Sequence, residues 1–240
     1  MTPPPGIRLE GVGLDFGNAP LFRGLDLLLA AGHMTVLLGA SGVGKTSLLR
    51  MIGGLAVPDY GRITADDGLP LAGRVAWMGQ QDLLLPWASV VDNVTLGARL
   101  RGERPDLARA RHLLGCVGLA DQAGMLPAAL SGGMRQRAAL ARVLYEDRPV
   151  VLMDEPFSAL DSVTRARMQD LAGRMLAERT VVLITHDPLE ACRLADTMLL
   201  MAGNPATLAH LDVPGGAAPR PVDAPAVLSA QASLLRRMMQ

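Results

Sequence analysis

Residues 34–50 read MTVLLGASGVGKTSLLR: an apolar run, a glycine-rich break and the start of a helical pattern. Met34–Gly39 predicts a buried strand, and Thr46 to Leu55 predicts a helix. Between them, GASGVGKT has the spacing G-x-x-x-x-G-K-[ST], at Gly39, Gly44, Lys45 and Thr46. The glycines let the backbone turn tightly, so that successive N–H groups along Ala40, Ser41, Gly42, Val43 and on to Ser47 face one anion. The helix that follows adds the positive end of its dipole. Lys45 is the only lysine in the chain; the other 22 of its 23 basic residues are arginine. A guanidinium is planar, forked and longer, whereas a crowded phosphate loop needs a compact point charge on a flexible stem. Lysine is therefore kept at the one place where arginine will not do. Lys45 is expected to reach the β and γ phosphates of a nucleoside triphosphate, and the Thr46 hydroxyl to coordinate Mg²⁺.

Working outward, residues 150–161 read VVLMDEPFSALD. An apolar strand ending in two carboxylates delivers Asp154 beside the phosphate loop, where it can hold Mg²⁺, and Glu155 as a base for the water that attacks the γ-phosphate. Residues 130–137, LSGGMRQR, place Ser131, Gly132 and Gly133 ahead of an arginine-bearing helix, a second anion-binding helix start. One nucleotide needs one such cradle. A second one in the same chain suggests service to the nucleotide of another chain.

Short apolar runs alternate with longer helical patterns through the rest of the sequence. The fold class expected is α/β, with a mostly parallel core sheet and an antiparallel side sheet built from the strand-rich start. Residues 88–130 read as a helical insertion interrupted near RGERPD. The expected division is a catalytic domain over 1–202 and a Pro- and Ala-rich tail over 203–240 that ends in a short helix.

Of the 240 residues, 50% are hydrophobic and 3% aromatic, so aliphatic side chains and Met must fill the core. Acids and bases balance at 23 each, which gives no global pull toward nucleic acid. Cys116 and Cys192 lack metal-ligand spacing and read as buried free thiols of a reducing compartment. MTPPPGIRLEG has no basic-then-apolar leader pattern, and no run is long enough to span a bilayer. The mean hydropathy of +0.26 hints at a large partner surface.

With these motifs in one chain, the sequence from Ile7 to Ala202 resembles the ATP-binding subunits of ABC transporters, and LSGGMRQR is similar to their signature motif. The resemblance implies a P-loop NTPase core that binds ATP and Mg²⁺, with Gly39–Thr46 as Walker A and Val151–Glu155 as Walker B. It implies a D-loop ending at Asp161 and a switch histidine at His186 in LITHD. It also implies a Q-loop glutamine at Gln80 in WMGQQDLLLPW, linking Mg²⁺ and water to the membrane partner, with Gln81 as the adjacent rival. Phe16 falls where the family stacks an aromatic on adenine, its alternative being a core position. Trp87 is expected near the transmission surface. Two departures stand out: His33 lies where relatives often carry an acid, and Gly79 replaces a bulkier residue.

The implied assembly is two ATP-binding subunits, head to tail, on a membrane permease and served by a solute-binding protein, at the cytoplasmic face of the inner membrane. LLPW, GGMRQR and DEPFSALD are similar to the segments of nitrate-, sulfonate- and taurine-type importers and of pyrimidine-precursor importers. The alternatives are an exporter or lipoprotein-release ATPase, or a soluble ABC-type ATPase. No long coiled-coil insertion or second ATPase core supports the soluble reading.

Overall fold

The computed structural model describes residues 3–17 and 19–238. The chain opens with β1 (Ile7–Phe16) and β2 (Ala19–Leu29), an antiparallel pair. It continues through β3 (Met34–Gly39), α1 (Lys45–Ile52), β4 (Tyr60–Ala65) and β5 (Val75–Met78). β4 returns to pair with β1, completing a three-stranded antiparallel sheet of order β2-β1-β4.

Three short helices follow: α2 (Val90–Val94), α3 (Leu96–Leu100) and α4 (Leu107–Cys116). The break between α3 and α4 falls in the RGERPD stretch, where Asp106 caps α4 by accepting the Arg109 N–H. Next come α5 (Gly132–Glu146), β6 (Val150–Asp154), α6 (Ser162–Met175), β7 (Thr180–Ile184), α7 (Pro188–Leu194) and β8 (Thr197–Gly203). α2 and α4 pack on α5, which presents Ala138, Ala139, Leu140 and Val143 to the core.

The second sheet has the order β5-β6-β7-β3-β8-β9, where β9 spans Ala206–Leu211, and is parallel from β5 to β8. Every residue of β3, β6 and β7 is buried, because both sheet faces are covered. That is why these strands read as unbroken apolar runs rather than alternating ones. Each aliphatic side chain so buried contributes about 1.5–3 kcal/mol, so the loops at the ends of these strands spring from a rigid base.

The sheet does not stop at Ala202, where the sequence places the start of a tail. β9 (Ala206–Leu211) turns back and pairs antiparallel with β8. As an edge strand it buries only Ala206 and Leu211 well, so ATLAHL carries too little alternation to announce itself.

Beyond β9 the chain is stapled to α7. Arg220 is buried and donates to the carbonyls of Cys192 (3.2 Å) and Ala195 (2.8 Å), which end that helix. Arg193 returns a bond from Nε to the Arg220 carbonyl at 3.1 Å. α8 (Pro225–Met238) then lies against α7, burying Val227 and Leu234. Cys192 is buried as expected, whereas Cys116, at the end of α4, is only half-buried. Among the described residues, no helix is long and apolar enough to cross a membrane.

Candidate functional site

β3 hands the chain to the phosphate loop at Gly39. A Cβ there would sit 2.4 Å from the Met201 carbonyl oxygen of β8, so only glycine lets the loop pass over its neighbouring strand. Gly44, at φ 110, opens α1 in the left-handed region, and no side chain caps the helix. Its first N–H groups are thereby left to an anion. The Lys45 ammonium folds back to donate to the carbonyls of Gly39 and Ala40, both at 2.8 Å. Burial lowers its pKa from the ordinary lysine value, while the charges of Glu155 and Asp154 work against that shift.

The partners of this loop arrive from β6 and β7. Asp154, the last residue of β6, accepts a hydrogen bond of 2.7 Å from Thr46 Oγ1. One carboxylate beside one hydroxyl is the sparse oxygen set that suits Mg²⁺ carried in by a phosphate chain. No cluster of three or more His, Cys, Asp or Glu that could hold a metal occurs among the described residues.

Glu155 sits at φ 53, a left-handed conformation that costs a non-glycine residue about 1–2 kcal/mol. Bonds to its backbone and side chain hold it there. Its N–H donates to the Ile184 carbonyl at 3.0 Å, and its carbonyl accepts from Gln136 Nε2 and Ser158 Oγ, both at 3.1 Å. Its carboxylate meets His186 Nδ1 at 2.6–2.8 Å. Phe16 closes the other side. It is 80% exposed, so it is no core residue, and it lines a recess with Leu21, Gly42, Gly44, Lys45 and Thr46.

The structure thus brings Phe16, the Gly39–Ser47 loop, Asp154, Glu155 and His186 together. Gln80 and Gly132 line a cleft other than the recess at Phe16 and Lys45. Gln80 follows β5, which pairs with β6, and shares its cleft with Gln81 and with Gln136 and Ser158, the two side chains that bond the Glu155 carbonyl. Ser131 caps α5, accepting the Met134 N–H at 3.2 Å. The Asp161 side chain is used as the cap of α6, accepting from the N–H groups of Val163 and Thr164, which lower its pKa. Trp87 is 76% exposed.

Sequence reasoning missed the residues that brace these loops. Gln136 is buried and holds both the Glu155 carbonyl and the Ala159 N–H. The signal for it was a polar residue in line with Leu140 and Val143 on the apolar face of α5. Arg135 and Arg142, seven apart on the same helix, clamp the stretch after Gln80. Arg135 Nε bonds the Asp82 carboxylate at 3.1 Å, and Arg142 donates to the carbonyls of Asp82 (2.6 Å) and Leu83 (2.9 Å).

A phosphate loop on a central parallel strand, flanked by a strand-end Asp-Glu pair and a histidine, with a second helix start at another cleft, defines a P-loop nucleoside triphosphatase of the cassette type. The model of the ABC transporter family matches residues 22–158, and the chain belongs to that family: it is an ATP-binding cassette, an ATPase. Among its relatives is the aliphatic sulfonates import ATP-binding protein SsuB 1 of Rhodococcus jostii, 46% identical over 198 residues, covering 82% of this chain and 79% of that one. The SsuB of Delftia acidovorans is 43% identical over 236 residues, covering 97% and 93%. A bacterial ABC transporter cassette solved as a dimer superposes with a TM-score of 0.72 at 28% identity, over 81% of this chain and 93% of that one.

Proposed function

We propose that this chain is the ATP-hydrolysing subunit of an importer for aliphatic sulfonates. The observation that carries the chemistry is the Glu155–His186 contact beside Thr46–Asp154, at the mouth of the phosphate loop. In this reading the loop N–H groups and Lys45 bind the phosphates, and Phe16 stacks on the adenine. Lys45 leaves its own loop carbonyls for the β and γ phosphates. Thr46 and Asp154 would hold Mg²⁺ with the Gln80 amide oxygen, and the ion would supply charge neutralisation between those phosphates. Glu155 accepts a proton from the attacking water as its oxygen bonds the γ-phosphorus and the bond to ADP breaks. His186 orients the γ-phosphate.

Two chains pair head to tail, so that Ser131–Gly133 of one cover the nucleotide bound at Lys45 of the other. Support comes from the place of Gly132 in a cleft other than the recess at Lys45 and from the dimeric state of the solved cassette. The pair works on a permease at the cytoplasmic face of the inner membrane, and a solute-binding protein delivers the sulfonate. The substrate class rests on the two SsuB relatives. The domain reading is an ATPase core through β8, with the helices between residues 88 and 130 as the subdomain facing the permease.

Glu155→Gln tests the site. The variant is expected to bind ATP, accumulate as a dimer and lose turnover by about 100-fold or more. Hydrolysis near the wild-type rate would remove Glu155 from the role of base. Pulled from native membranes with ATP, the same variant should carry a polytopic permease and a sulfonate-binding protein. Ribosomal or DNA-bound partners alone would end the transport reading.

A further inference from the structure

Arg165 stands one turn into α6, behind the nucleotide site, and belongs to none of the motifs. Its guanidinium reaches two loops at once. Nη2 donates to the carbonyl of Leu160, just before Asp161, at 2.8 Å, and Nη1 lies 3.5 Å from Oδ2 of Asp187, just after His186. We propose that Arg165 is a positioning residue that locks the Leu160–Asp161 loop to the His186–Asp187 loop, so that His186 keeps its place over the phosphates only while the other loop is seated. This rests on the reading of His186 given above.

Three observations carry it. First, Asp187 is fixed on its far side: Oδ1 caps α7 through the Leu189 N–H at 2.9 Å, and its own N–H donates to Thr185 Oγ1 at 3.0 Å. A pull on Oδ2 is therefore passed to the backbone that carries His186, rather than lost in a free side chain. Second, Arg165 is itself anchored by its backbone N–H on the Asp161 carbonyl at 2.8 Å, so guanidinium and helix start move as one.

Third, Arg165 makes no hydrogen bond or ion pair with the buried acid of the neighbouring helix. Glu190 is buried in α7 within Coulombic reach, its Oε1 makes no hydrogen bond to protein, and Arg165 Nε is likewise buried and unbonded. Instead the guanidinium spends its two terminal nitrogens on the loops. Glu190 keeps only a 3.4 Å contact with Gln169 Nε2, and its pKa rises well above the carboxylate range through burial and the nearby charges of Asp187 and Glu155.

The test is steady-state ATPase kinetics and thermal melting on Arg165→Lys, Asp187→Asn, the double variant and His186→Ala. Lysine keeps the charge but cannot bridge a carbonyl and a carboxylate. Asparagine keeps the α7 cap and removes the acceptor charge. Each single variant is expected to lose about 10-fold in kcat with KM for ATP within twofold and melting within a few degrees, and the double variant to be no worse than either single. Wild-type kcat in Arg165→Lys, a loss confined to KM, or losses that multiply in the double variant would overturn the inference. If His186→Ala hydrolyses ATP at the wild-type rate, the reading of the site fails instead, whatever Arg165→Lys does.

Discussion

α1 and α5 both begin on glycine-bearing turns, yet they meet an anion differently. α1 starts with no side-chain cap, and Lys45 is its first residue. α5 is capped by its own Ser131 hydroxyl, and its nearest cation, Arg135, is occupied with Asp82 and the Leu130 carbonyl. The first helix start is a holding site with open donors and a positive charge folded onto the loop. The second offers a hydroxyl and backbone on a fixed frame, suited to covering a phosphate chain that something else already holds. Similar glycine patterns in sequence therefore need not mean equal affinity.

Breaking the holding site should have the largest effect. Lys45→Ala is expected to weaken ATP binding by at least about 100-fold in calorimetry, since it removes a charge-assisted contact from a buried loop. Ser131→Ala should leave ATP binding to the isolated chain unchanged, lower turnover by about 10-fold, and cost about 1 kcal/mol of stability as a lost cap. Mixing the two variants sharpens the contrast. A head-to-tail pair of one Lys45→Ala chain and one Ser131→Ala chain places both defects in one site and leaves the other intact. Activity should therefore exceed that of either variant alone, and no recovery would mean that the two helix starts serve the same chain's nucleotide.

Phe16→Ala should raise KM for ATP about tenfold, with Phe16→Tyr neutral, because stacking needs only a ring face. The smallest effect lies away from both helix starts, at Glu190. Its raised pKa means that the folded chain holds this proton more tightly than the unfolded one. The associated stability is present at low pH and lost as pH rises through the folded value. Glu190→Gln should thus melt a few degrees higher than wild type at pH 8, with the difference closing toward pH 4.

The parallel core and the phosphate loop were legible in the sequence because chemistry and periodicity force them. Only an apolar run fits a strand covered on both faces, and only glycine passes Met201 at position 39. The braces were not legible. Gln136, Arg142 and Arg165 look like ordinary polar residues of amphipathic helices, and their partners are backbone carbonyls whose positions exist only after folding. β9 was missed for the opposite reason. An edge strand with two well-buried residues leaves almost no pattern to read.

The bonds from Lys45 to Gly39 and Ala40 have a kinetic consequence. Its own ammonium acts as a placeholder, keeping the loop wrapped around a positive charge before any phosphate arrives. Nucleotide entry is then an exchange of acceptors around a charge already in place, and the loop need not be assembled around its ligand. Association should accordingly be fast and weakly dependent on temperature, and release of product should return the loop to a shape it can hold unaided.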